Sequence, residues 1–199
     1  MALKFANNNS LSAITSTPSG VGGGSLNLIS TQTASSSSTI SFTSGIDSTY
    51  KEYIFKLINI HPQTNDETLT VNFRDGGTDY DATKTTTSFR AYHDEGDSAT
   101  GLGYVDNDLA QGTGAQNISN NLGSDADQCM VGYLHLFSPA DTTFVKHFLI
   151  RTCTSHASDY VNEWHIAGYC NTTSAIDGVQ FKMSSGNIDS GTIKLYGVS

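Results

Sequence analysis

From Leu26 onward, apolar side chains return at every second residue, and a chain patterned that way can bury them only as paired strands with one face turned inward. The clearest run is 50–60. There Tyr53, Phe55 and Leu57 share one face, while Glu52, Ile54, Lys56 and Ile58 take the other. The mixed second face predicts a central strand that is partly covered on that side. Leu69, Val71 and Phe73 alternate with Thr68, Thr70 and Asn72, and the run stops at Arg74-Asp75-Gly76-Gly77, a turn sequence. Gln128–Phe137, Thr143–Thr154 and Tyr160–Cys170 carry apolar residues on both faces, and the last of these holds Trp164, the only tryptophan. Val179, Phe181 and Met183, then Ile193 and Leu195, close the series. Two shorter candidates, Leu26–Ile29 and Thr39–Thr43, flank the Ser35–Ser38 run and begin it.

The composition agrees with strands and not with helices. The chain has 25 Ser, 24 Thr and 19 Gly, mediocre or poor residues for a helix interior, and only 3 Pro. No 20–50-residue repeat is present, and nothing supplies the alternating helices a parallel sheet needs. The expected fold is all-β: an antiparallel, jelly-roll-like β-sandwich of nine to eleven strands. Its 199 residues suffice for one domain with a real core and no disulfide staple.

Charge narrows the partners. Nineteen acidic residues against ten basic ones give a net charge of −9, which disfavours nucleic acid and anionic membrane surfaces. No run of about 18 apolar residues occurs, so no transmembrane helix is expected. Lys4 is followed by Asn7-Asn8-Asn9-Ser10 where a signal peptide would need an apolar stretch, so synthesis in the cytoplasm is expected. Cys129, Cys153 and Cys170 form no C-x-x-C and leave an odd thiol; each lies in an apolar run and is expected to be a buried, unreacted side chain.

Three regions differ in character. Residues 1–25 are poor in apolar side chains and contain Gly22-Gly23-Gly24, which reads as a flexible arm: either a frayed terminus or a tether that orders against a partner subunit in an assembly. Residues 26–199 are a single sandwich domain. Within it, 75–127 is an irregular acidic loop region holding ten of the nineteen carboxylates.

The search for chemistry yields candidates but no motif. Gly23-Gly24-Ser25-Leu26-Asn27 lacks the closing glycine of a nucleophile elbow, and Gly101-Leu102-Gly103-Tyr104-Val105-Asp106 lacks the final glycine of a dinucleotide loop. His135, His147 and His165 fall in strand interiors, where cross-strand neighbours can share a metal, yet packed histidines are the ordinary case. Hard oxygen ligands for calcium cluster at Asp75/Asp79/Asp81, Asp94/Glu95/Asp97, Asp106/Asp108 and Asp125/Asp127. Asp94, Asp97, Asp106 and Asp108 are the calcium candidates, against the plainer reading of acidic loop tips that solvate the domain. Tyr80, Tyr92 and Tyr104, set among these loops, are candidates for carbohydrate binding, or else for capping the sandwich ends. Paired carboxylates for glycoside hydrolysis need a cleft that spacing does not reveal. No catalytic residue and no cofactor are assigned.

Several stretches carry a resemblance. Met1-Ala2-Leu3-Lys4-Phe5-Ala6-Asn7-Asn8-Asn9-Ser10-Leu11-Ser12-Ala13-Ile14-Thr15, Leu28–Ser36 running into Ile40–Asp47, Tyr53–Pro62, and Ser185–Gly197 resemble small virion structural proteins of tailed phages of marine bacteria, of the capsid-decoration or tail-appendage type. The likeness spans most of the chain and is faintest over 75–127. It implies a non-enzymatic β-sandwich on the particle surface, with other virion proteins as partners and a homo-oligomer, a trimer by analogy. A virion protein made in a host cytoplasm needs no signal peptide, which reconciles a surface-type composition with the missing leader. The alternative expectation is a tail-fibre, receptor-binding module that recognises host surface glycan through its loop Tyr and Asp residues.

Overall fold

A computed structural model describes residues 26–199; the arm assigned to 1–25 lies outside the described residues. Twelve strands follow in chain order: β1 Leu26–Ser37, β2 Ile40–Phe42, β3 Glu52–Pro62, β4 Leu69–Arg74, β5 Lys84–Asp94, β6 Thr100–Tyr104, β7 Gln116–Asn117, β8 Met130–Phe137, β9 Lys146–His156, β10 Tyr160–Cys170, β11 Gly178–Met183 and β12 Ile188–Val198. Every pairing between them is antiparallel. They make two sheets of unequal size, an eight-stranded one in the order β1-β12-β3-β8-β9-β10-β5-β6 and a four-stranded one in the order β2-β11-β4-β7. The expected β-sandwich is therefore the fold.

Alternation explains the packing. Tyr53, Phe55 and Leu57 of β3 point inward with Leu134 and Leu136 of β8, Phe148 and Ile150 of β9, Trp164 and Ile166 of β10, and Ile193 and Leu195 of β12, all buried. The small sheet answers with Phe42, Val71, Phe73, Val179 and Phe181. Aromatic rings lock the layers: Phe42 meets Phe55 edge-on at 5.2 Å and Phe73 meets Phe148 at 4.8 Å between centroids. Each such side chain contributes roughly 1.5–3 kcal/mol by leaving water. Tyr53 also anchors the entry to its own strand. Its hydroxyl accepts from the Asp47 and Tyr50 amides at 3.1 and 3.4 Å and lies 3.0 Å from the Asp47 carbonyl, to which it donates.

Three expectations change. The Ser35–Ser38 run does not interrupt the chain after Ile29; β1 continues to Ser37, because an edge strand is held by backbone bonds to β12 and needs little from its side chains. The stretch 75–127 is loop over most of its length but not throughout. It supplies β5 and β6 to the large sheet and β7 to the small one. Its remaining polar segment is held from below by buried polar side chains: Thr86 Oγ1 donates to Gln116 Oε1 at 2.6 Å, Thr152 Oγ1 to the Ile118 carbonyl at 2.5 Å, and Ser119 Oγ accepts from the Leu69 amide at 2.8 Å. Of the three cysteines only Cys170 is buried. Cys129 is half-buried, and Cys153 is exposed because its place in β9 puts it on the outward face of the sheet. All three are free thiols.

Candidate functional site

The sheet order brings distant carboxylates to one end of the sandwich. His93 and Asp94 finish β5, Glu95 follows them, Asp125, Asp127 and Gln128 lead into β8, and Ser155, His156, Asp159 and Tyr160 form the β9–β10 hairpin. These residues line a cleft of about 420 Å³. Backbone bonds fix its walls: the Glu95 amide donates to the Asp159 carbonyl at 2.9 Å and the Gln128 amide to the Asp125 carbonyl at 2.9 Å. Burial holds the His156 pKa below its usual value, and the ring packs edge-on against Tyr160 at 5.4 Å. Its Nδ1 accepts from the Ser158 amide at 3.0 Å, so the imidazole is fixed as part of the hairpin.

The calcium candidates divide. Asp94 stands in the cleft wall, but its carboxylate is taken by its own turn. It accepts from the Ser98 and Ala99 amides at 2.8 and 2.7 Å and from the Ser98 hydroxyl, and these bonds hold its pKa below the ordinary carboxylate value. Asp97 pairs with His93 at 3.2 Å in the open. Asp108 accepts from the Tyr104 hydroxyl, a bond that raises the Tyr104 pKa, and neither Asp106 nor Asp108 lines the cleft. Among the described residues no three His, Cys, Asp or Glu side chains are placed to share a metal ion.

The tyrosine candidates sit in three separate settings. Tyr80 lies under the Arg74 guanidinium at 5.8 Å, with its hydroxyl buried and unpartnered. Tyr92 packs edge-on against Tyr160 at 5.7 Å and beneath Arg90 at 5.3 Å. Tyr104 is exposed on the edge strand β6. Sequence reading missed His93, His156, Asp159 and Tyr160. The signal was there in Ser155–Tyr160, a polar hairpin between two apolar strands; what it faces depends on sheet order.

The second feature is the outward face of the large sheet, over which the described residues place no other layer. Cross-strand partners share a face, so register lays out its rows. One row runs Tyr196, Ile54, His135, Leu149, Ala167 and Thr87. The next runs Lys194, Lys56, Tyr133, Arg151, His165, Phe89 and Tyr104. Ile58, Val131, Val161 and Leu102 extend it toward the acidic end. Leu149 and Val161 are each 50% exposed and Leu102 74%. Two shallow depressions of about 460 and 480 Å³ lie along this face, meeting at Tyr133 and Arg151.

The three strand histidines all lie here and are taken up by neighbours rather than by one another. His135 Nδ1 contacts the Glu52 carboxylate, His147 packs on Tyr169 at 5.8 Å, and His165 stacks on Phe89 at 4.9 Å with its Nε2 3.3 Å from Glu163. Arg151 is bonded to Glu163 at the middle of the face, and this pairing lowers the Glu163 pKa.

Comparison of the chain with protein-family models, with curated proteins and with solved structures finds no match.

Proposed function

We propose that the chain is a non-enzymatic structural protein of a bacteriophage virion, carried on the particle surface as a capsid-decoration or fibre component and held there by protein–protein contacts. The observation that supports this is the outward face of the eight-stranded sheet. Soluble monomers seldom leave so many large apolar side chains open to water on one sheet face, and such a face ordinarily marks a protein contact. The β1 edge points the same way. It is twelve residues long, LNLISTQTASSS, with no charge and no proline to discourage strand addition. The likeness of the N-terminal and strand sequences to small phage structural proteins gives the reading its biological setting.

The test is incorporation into particles. Deleting residues 1–25 from the phage-encoded chain is expected to abolish its recovery with purified virions, as seen by mass spectrometry of banded particles. Undiminished recovery, together with loss of host attachment alone when loops in 75–127 are altered, overturns this reading.

The cleft at the acidic end favours a second reading, recognition of a host surface glycan by a tail module. Carboxylates, Gln128 and Tyr160 around a cleft of about 420 Å³ are the side-chain types that bind sugar hydroxyls and sugar rings. Glycan-array binding by the full chain, lost in Tyr160→Ala, is the outcome that shifts weight to it.

A further inference from the structure

We propose that the outward face of the eight-stranded sheet is occupied by a second copy of the same chain, packed sheet against sheet about a two-fold axis near Arg151 and Glu163. The inference deepens the assembly reading, on which it rests, by naming what covers that face.

Three observations select this occupant. The first is charge. The chain carries −9 overall, so two copies repel across most orientations. The outward face departs from that. Its charged side chains are Lys56, Arg151 and Lys194 against Glu52 and Glu163, and most of the remaining carboxylates lie in loops and turns at the sandwich ends and around the small sheet. It is the broad surface on which two copies meet without a carboxylate excess.

The second is size. Six strands, β3, β8, β9, β10, β5 and β6, at about 4.8 Å spacing and with five to eleven residues at about 3.3 Å each, span roughly 900 Å². A stable interface of standard size uses about 800 Å² from each partner, so the face is large enough to hold a dimer.

The third is self-complementarity. In a two-fold contact each residue meets its counterpart set in the other copy, so the patch must satisfy itself. Here the strong charges near the centre are a bonded opposite pair, Arg151 with Glu163, flanked by His165 and Tyr133, with Lys56 bordering the same depression. Around them stand Leu149, Val131, Val161, Phe89 and Ile58, each at least partly open to water and without a covering layer among the described residues. Antiparallel two-fold packing lets the guanidinium of each copy reach the carboxylate of the other, while the apolar ring excludes water from both pairs.

The experiment is sedimentation equilibrium of the full 199-residue chain. The expected mass is twice 21.2 kDa. Leu149→Glu is exposed and leaves the core intact, and it is expected to raise the dimer dissociation constant about 100-fold. Lys182→Glu, outward on β11 of the other sheet, is expected to leave it unchanged. R151E alone and E163R alone are each expected to sediment as monomers, and an equimolar mixture of the two as dimers. The Cys153 thiol gives a second readout, shielded from a water-soluble thiol reagent in the parent chain and open in Leu149→Glu. A monomer at every concentration, a trimer, a dimer indifferent to Leu149→Glu, or a dimer lost when residues 1–25 are deleted overturns the proposal; the last outcome assigns the face to the N-terminal segment. A solution dimer from a chain that never enters particles leaves this inference standing and removes the virion reading. Incorporation without a solution dimer does the reverse.

Discussion

Lys84 and Cys170 face each other across the β5–β10 ladder, both fully buried on the inner side of the large sheet. Lys146, also buried, stands on the other flank of Cys170. The Lys84 ammonium donates to the carbonyls of Ala82 at 2.8 Å and Thr113 at 3.4 Å, and that of Lys146 to the Thr172 carbonyl at 2.9 Å. Carbonyl oxygens satisfy the donors but do not neutralise the charge. Burial lowers the Lys84 pKa to about 8 and pushes the Cys170 thiol up to about 12.

The two shifts act on stability in opposite directions. Between pH 8 and 10.5 the unfolded chain keeps a proton on Lys84 that the folded chain has released, so stability rises with pH across that window. The folded Cys170 thiol keeps its proton where the unfolded one loses it, so from pH 9 toward 12 stability falls. Urea midpoints of the parent chain are expected to climb above pH 8 and then level off. In Cys170→Ala the climb should continue toward pH 10.5, by an amount on the order of 2 kcal/mol, and in Lys84→Met it should shrink to the part driven by Lys146, whose pKa burial also lowers.

Tyr53→Phe removes one oxygen and no packing. Two amides, Asp47 and Tyr50, then lose their acceptor beside a buried ring. The expected cost is about 1–2 kcal/mol in urea denaturation, with an unchanged far-UV spectrum. An effect below a few tenths of a kcal/mol would mean that water takes over those amides.

The strands that carry the core were legible because apolar side chains mark their period. Tyr53, Phe55 and Leu57 announce β3, and Val71 and Phe73 announce β4. The segment around β7 hid itself for the opposite reason. Thr86, Gln116, Ser119 and Thr152 are buried through mutual hydrogen bonds, and a polar core region leaves no apolar alternation to read. The acidic cleft was half visible. Asp94, Glu95, Asp125 and Asp127 were conspicuous, but that β5, the loop before β8 and the β9–β10 hairpin end side by side follows from sheet order. Local spacing holds no trace of it. Likewise the second face of β9, with Leu149 and Arg151, was readable as mixed, whereas the lack of a layer over it among the described residues was not.

Trp164 is buried with its indole N–H unpartnered, beneath the Arg90 guanidinium at 5.9 Å. An unpaired donor in the core is a standing cost that offsets part of the ring's packing. Trp164→Phe is therefore expected to destabilise by no more than about 1–2 kcal/mol, less than the 3–5 kcal/mol typical of removing a buried aromatic altogether, as in Trp164→Ala. Chemical denaturation of the two variants side by side checks the ordering, and a Trp164→Phe loss as large as that of Trp164→Ala would overturn it.

Gly168 of β10 sits where a side chain would run into its neighbours. A β-carbon at this position would lie 2.6 Å from Phe148 Cζ and 2.7 Å from Thr86 Cγ2. Neither neighbour can yield freely. Phe148 is packed against Phe73, and the Thr86 hydroxyl is bonded to both Gln116 Oε1 and the Leu109 amide. Gly168→Ala is expected to cost about 1–3 kcal/mol by overpacking. The strain should pass through Thr86 into the 105–127 segment, so amide exchange at Leu109 and Gln116 is expected to speed up more than exchange at Leu195 in the distant β12. Uniform acceleration across both sheets would show instead that the sandwich opens as one unit.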